Sequence, residues 1–185
     1  METRIIRSSR KTLAIEVTPE AVIVRAPKRA SEARIRRFLA EQEDWIAKAV
    51  AKAEAQREAA QAAGAITDSD LQELTKAAKE YIPERVAYYA PLVGVDYGRI
   101  TIRHQKSRWG SCSAKGNLNF NCLLMMCPPE VIDSVVVHEL CHRLEMNHSE
   151  RFYAHVRRVY PEYDQWNRWL KRNGKVLMLQ AFGNQ

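Results

Sequence analysis

Apolar and polar positions alternate near the start of the chain. Leu13, Ile15 and Val17 are separated by Ala14 and Glu16, and Val22 and Val24 resume the alternation after Thr18-Pro19-Glu20. A period of two with a turn between predicts a hairpin or three-stranded β meander over 3–26, ended by Pro27. The pattern then changes. Ser31 is a suitable N-cap, and residues 32–63 are rich in Ala, Glu, Lys, Arg and Gln, with Phe38, Trp45, Ile46, Ala49 and Val50 along one side. Beyond Val50 only Ala carries the stripe, and Gly64 is a stop signal. One helix of that length would reach about 50 Å, so part of it must project or break.

A second helical pattern starts at Thr67-Asp68-Ser69-Asp70, with Leu71, Leu74, Ala78, Tyr81 and Ile82 at helical spacing and Pro83 as a kink or restart. Ile100 and Ile102 open a new β region. Ser113-Ala114-Lys115-Gly116-Asn117 reads as a turn, and Leu118, Phe120 and Cys122 alternate after it. Residues 99–124 therefore predict two or three antiparallel strands. Pro128-Pro129-Glu130 opens a helix that is apolar almost throughout. Phe152, Tyr153, Val156 and Val159 mark another helix, and Pro161 starts a last one with Trp166, Trp169 and Leu170, expected to end at Asn173-Gly174.

The chemistry lies in the apolar helix, VIDSVVVHELCHRLEM. His138 and His142 sit one turn apart on one face and can share one metal ion. Glu139 lies off the ligand line, where it can take a proton from an activated water instead of binding the ion. Chance alone would place H-E-x-x-H in such a chain about 0.01 times. Two histidines and a glutamate in a buried helix are costly unless paired or bound to metal. A catalytic zinc takes three protein ligands, and His148 is the candidate third, with Glu145, Glu150 and His155 as rivals. Asn147 suits a left-handed helix end, and Ser149 can cap the next helix; a sharp turn between them would carry His148 back.

HELCHRLEMNHSERFY resembles the zincin core of YgjP-like predicted metal-dependent hydrolases, which are related to the WLM and SprT-like metallopeptidases. KSRWGSCS at 106–113 resembles that family's second signature. The resemblance implies zinc held by His138, His142 and His148, with Glu139 as general base. It also implies a strand bordering the metal cleft, whose edge an extended substrate could pair with. On that rim Gly110 lets a backbone come close, Trp109 is a flat wall, Ser111 follows, and Lys106 and Arg108 offer charge to an anionic group. Asn119 and Asn121 share one face and are candidates to hold the metal helix or polarise a substrate carbonyl. Tyr153 is a candidate oxyanion donor.

The fold class expected is α+β: a zincin-like domain, its H-E-x-x-H helix against a small antiparallel sheet, preceded by a β meander and a long helix. The expected division is 1–30 for the basic meander, 31–65 for the charged helix, 66–174 for the core and 175–185 for a tail. The chain has 185 residues, 46% hydrophobic and 28% charged, which fits a globular protein and excludes collagen-like, mucin-like or wholly disordered chains. No apolar run is long enough for a membrane span. METRIIRSSRK has no apolar core, so no signal peptide is expected and the four cysteines read as free thiols in a reducing cytoplasm.

The net charge is +7 and uneven: residues 1–37 hold ten basic against four acidic side chains, and Arg99, Arg103, Lys106, Arg108 and Lys115 fall in 99–115 without an acid. That balance changes the picture of partners. The leading reading is a zinc metallopeptidase acting on an extended peptide, with another divalent metal as an alternative ion. The second is a nucleoside triphosphate pyrophosphatase or phosphohydrolase, favoured by cations beside the site. The third is a nucleic-acid-associated binding protein with a structural metal. No feature of the sequence sets an oligomeric state.

Overall fold

A computed structural model describes residues 2–18 and 21–183, so Pro19 and Glu20 of the expected turn lie outside the described residues. The chain forms two compact units, residues 1–63 and 64–185. The first holds strands β1 (Glu2–Ser8), β2 (Ala14–Val17) and β3 (Ala21–Pro27) and helices α1 (Glu32–Glu41) and α2 (Glu43–Ala63). The strand order is β1-β3-β2, with β1 parallel and β2 antiparallel to β3. The expected hairpin is present as β2–β3, but the three-stranded meander is corrected, because β1 pairs with β3 and not with its sequence neighbour. Burial explains the order. β3 carries the most buried side chains and takes the centre, whereas β1 is exposed along nearly its whole length and belongs at an edge. Val24, Ala26, Ala30 and Ile35 form a small core. Ser31 Oγ caps α1 by accepting from the Arg34 N–H at 3.2 Å. The long helix breaks at Gln42, whose N–H turns back to the carbonyl of Leu39.

The second unit begins with α3 (Asp68–Val93), opened by a Thr67–Asp70 capping box and closed by Gly94 at φ 84°. Pro83 does not restart this helix. The helix loses one backbone bond there, but Ala78, Ile82, Val86, Tyr89 and Ala90 stay packed on either side and hold it continuous. Strands β4 (Ile100–Arg103), β5 (Gly110–Cys112) and β6 (Leu118–Asn121) follow in the order β4-β6-β5. The antiparallel expectation holds for β5–β6, but β4 runs parallel to β6. Alternation reports which face a side chain takes, not which strand lies beside it. The buried β6 is again central.

A 3-10 turn at Cys122–Met126 leads into α4 (Pro129–Cys141), buried on nearly all sides. Asp133 of α4 takes a bidentate ion pair from Arg85 at 2.7 Å and a hydrogen bond from Tyr89 Oη at 3.1 Å, which locks α4 to α3. Helices α5 (Glu150–Val159) and α6 (Tyr163–Phe182) complete the unit. The last helix does not end at Asn173-Gly174. A Cβ on Gly174 would lie 3.0 Å from Trp109 Cζ2, so this glycine makes room for an indole within a continuing helix. The segment expected to be an unreadable tail is helical to Phe182, with Met178, Ala181 and Phe182 packed on the core. The architecture is α+β.

Candidate metal centre

The three histidines converge. α4 is hydrogen-bonded to Cys141, and His142 stays in the right-handed helical region as its C-cap, which keeps it one turn from His138. The next seven residues reverse the chain. Asn147 is not left-handed as expected, since no residue other than glycine has a positive φ among the described residues. It makes the turn with its side chain. Its Oδ1 accepts from the Ser149 N–H at 3.0 Å and its Nδ2 donates to Glu145 Oε1 at 2.8 Å. Ser149 then caps α5 through the Phe152 N–H. The result sets His148 Nε2 3.0 Å from His138 Nε2, and one ligand atom from each histidine lies within 4.8 Å of the others. Fully buried Phe152 is the floor, its ring centroid 4.8, 4.6 and 5.0 Å from those of His138, His142 and His148.

The outer nitrogens are also committed. His142 Nδ1 donates to the carbonyl of Glu145 at 3.1 Å, which leaves Nε2 as a lone pair. His138 Nδ1 is 2.8 Å from Tyr163 Oη, and Tyr163 is itself buried at the start of α6. Burial holds the His138 pKa down to about 3, with His142 and His148 adding to the effect, and burial lowers His142 as well. Converging imidazole nitrogens are the donor set that zinc and its neighbours take, so the residues fit a divalent metal.

Glu139, the next residue of α4 after His138, sits against the sheet. A Cβ on Gly110 would fall 2.5 Å from Glu139 Oε1 and 2.7 Å from its Cγ. The glycine of β5 thus admits the glutamate of α4, where a substrate backbone was the expected neighbour. Glu139 is 5% exposed. Burial pushes its pKa up to about 8, and the charge of Arg108 pulls the other way.

The model of the YgjP-like metallopeptidase domain matches residues 11–72 and 67–173. The chain belongs to this family. It is a metal-dependent hydrolase family, and the fold is the zincin-like α+β fold. Among solved structures the chain is similar to the metallopeptidase zymogen of Pyrococcus abyssi abylysin, at TM-score 0.46 and 20% identity over 51% of this chain and 96% of that one. It is also similar to the metallopeptidase zymogen of Methanocaldococcus jannaschii jannalysin, at 0.45 and 20% over 50% and 96%. No curated protein matches the chain in sequence.

The remaining candidate residues scatter. Trp109 packs on α6 at Gly174. Lys106 Nζ lies 5.4 Å over the Phe182 ring, on which His104 also stacks. Asn121 is fully buried: its Nδ2 donates to the carbonyls of Gln105 and Arg108, and its Oδ1 accepts from the Leu123 N–H. Its amide pins the 104–109 loop from inside and has no group left for a substrate. Asn119 donates to Ser111 Oγ at 3.2 Å, which ties β6 to β5. Tyr153 stands 6.2 Å from the His148 ring, with Arg157 over its own. The rival third ligands stay outside the group. All four cysteines are free, and burial pushes Cys141 up to about 12, which disfavours a thiolate ligand. Sequence reasoning missed Tyr163, Phe152 and the Gly110–Glu139 contact. Phe152 was legible only as a core position, and Tyr163 carried no signal beyond opening a helix.

Proposed function

We propose that this chain is a zinc metallopeptidase in which His138, His142 and His148 hold the ion and Glu139 is the general base. The observation that carries this reading is the pairing of a converging histidine cluster with a buried carboxylate one residue after His138 on α4. Such an ion, when bound, polarises a scissile carbonyl and acidifies a coordinated water. Glu139 supplies the proton traffic. A carboxyl whose pKa is raised towards neutrality is a base strong enough to take a proton at Oε1 and an acid able to return it to a leaving amine. Nearby positive charge, from Arg108 and from a bound cation, favours the ionised form that must act first. Tyr163 orients His138 through Nδ1, and the Glu145 carbonyl orients His142. Among the described residues β5 pairs on one side only, with β6, so an extended peptide can add to its other edge beside Glu139.

The placement of the cations favours peptide over triphosphate. Of the basic residues of 99–115, Arg108 acts on Glu139, whereas Lys106 rests on Phe182 and Arg99 and Arg103 line a different groove. A structural metal has no use for a buried carboxylate beside its ligands. The test is to load the protein with zinc and incubate it with unfolded casein, and separately with a nucleoside triphosphate panel, each beside Glu139→Gln. New peptide termini by mass spectrometry, absent with the Gln variant, support the peptidase. Phosphate or pyrophosphate release that vanishes in the variant, with no casein cleavage, overturns it.

A further inference from the structure

The sheet of the second unit has two edges. One is β5, against Glu139; the other is β4, across β6 from it. β4 borders a groove of about 490 Å³, with the strand on one side and Lys79 and Pro83 of α3 on the other. The Leu118 N–H bonds to the carbonyl of Arg99, so by the alternation of a parallel ladder Thr101 also faces β6. The N–H and C=O of Ile100 and Ile102 therefore point to the open side, and no backbone bond reaches them there among the described residues. Pro83 has no N–H, so the carbonyl of Lys79 lacks its usual helical partner at the same groove. The residues around the groove include three cations, Lys79, Arg99 and Arg103, and no acid. Arg99 and Arg103 take the same face of β4, while Ile100 and Ile102 pack towards the core.

We propose that this groove binds an extended acidic polypeptide segment, which adds to β4 as a fourth strand and sets its carboxylates against Lys79, Arg99 and Arg103. An unpaired edge supplies backbone hydrogen bonds, and flanking cations without acids select the sign of the guest. A nucleic acid would use the charge but has no use for the open ladder. The site is separate from the histidine cluster, and binding here does not depend on the catalytic reading.

The test uses the full chain in chelator, so that hydrolysis plays no part. A fluorescein-labelled octapeptide alternating glutamate and valine is titrated by anisotropy, beside the same peptide N-methylated at alternate amides. Amide hydrogen exchange is followed with and without the unlabelled peptide. The expected result is saturable binding, weakened about tenfold or more by Arg99→Glu with Arg103→Glu and likewise by N-methylation, with slowed exchange at Ile100 and Ile102. Equal binding of the N-methylated peptide overturns strand addition, and protection at 110–112 instead places the peptide on the other edge. No peptide binding, with a single-stranded oligonucleotide bound and released by the same charge reversals, makes this a nucleic-acid face. Binding of neither means that the cations only keep the edge from pairing with other chains.

Discussion

Glu139→Gln should stabilise the metal-free protein, and by an amount that grows with pH. The carboxyl is 5% exposed, and its pKa is raised from the ordinary 4.5 to about 8. Below pH 4.5 it is protonated in both the folded and the unfolded chain, so ionisation contributes nothing. Between 4.5 and 8 the unfolded chain releases the proton and the folded one keeps it. The wild type therefore loses about 1.4 kcal/mol of stability per pH unit across that window. Gln is neutral throughout. The variant should match the wild type near pH 4.5, exceed it by about 3 kcal/mol at pH 7 and gain no more above pH 8. Urea unfolding in chelator measures this in a Trp45→Phe background, where Trp109, Trp166 and Trp169 all report on residues 64–185. Other groups, including His138, titrate equally in both proteins and cancel in the difference. Added zinc should narrow the gap, because a cation favours the carboxylate. A difference that stays flat from pH 4.5 to 8 would refute the burial argument.

Gly110→Ala puts a methyl 2.5 Å from Glu139 Oε1, so the carboxylate must retreat by about 1 Å; kcat/KM should fall about a hundredfold while zinc affinity by competition with a chelator holds. Arg85→Ala leaves Asp133, with its side chain 11% exposed, without its ion pair, and should cost about 3 kcal/mol by urea unfolding. Tyr163→Phe removes the hydroxyl 2.8 Å from His138 Nδ1 and should weaken zinc binding about tenfold by isothermal titration, with little change in melting. In chelator and in the Glu139→Gln background, which removes the opposing trend of that carboxyl, stability should fall as pH drops from 6.5 towards 3, because folded His138 resists the proton that the unfolded chain accepts; unfolding midpoints at pH 7, 5 and 4 check the sign.

The convergence of the three histidines was readable because they are local. His138, His142 and His148 fall within eleven residues, and a helix followed by a short turn is enough to join them. Caps such as Ser31, Thr67 and Ser149 were readable for the same reason, since each satisfies a backbone group three residues away. What escaped was set by distant pairing. Nothing in the period of β1 or β4 says that it runs parallel to its partner. Gly174 looked like a helix stop because the indole that requires it comes from residue 109. The cations of 99–115 looked like one cluster in sequence, but β4 and the 104–109 loop carry them to different surfaces.

That division between local and distant has a chemical consequence. The segment 138–148 could bring three imidazoles together on another scaffold, but Glu139 would then sit in water near its ordinary pKa and be a poor base. Its basicity comes from β5, whose glycine lets the carboxyl into a dry contact, and is limited by Arg108 on the loop before it. The same contact makes the metal-free fold less stable at neutral pH, since the buried group holds a proton that water would take. A cation bound beside the carboxylate would reverse that preference and return the lost stability. Folding stability and base strength are therefore linked through one side chain, and Gly110→Ala should move both while the three histidines keep their hold on the ion.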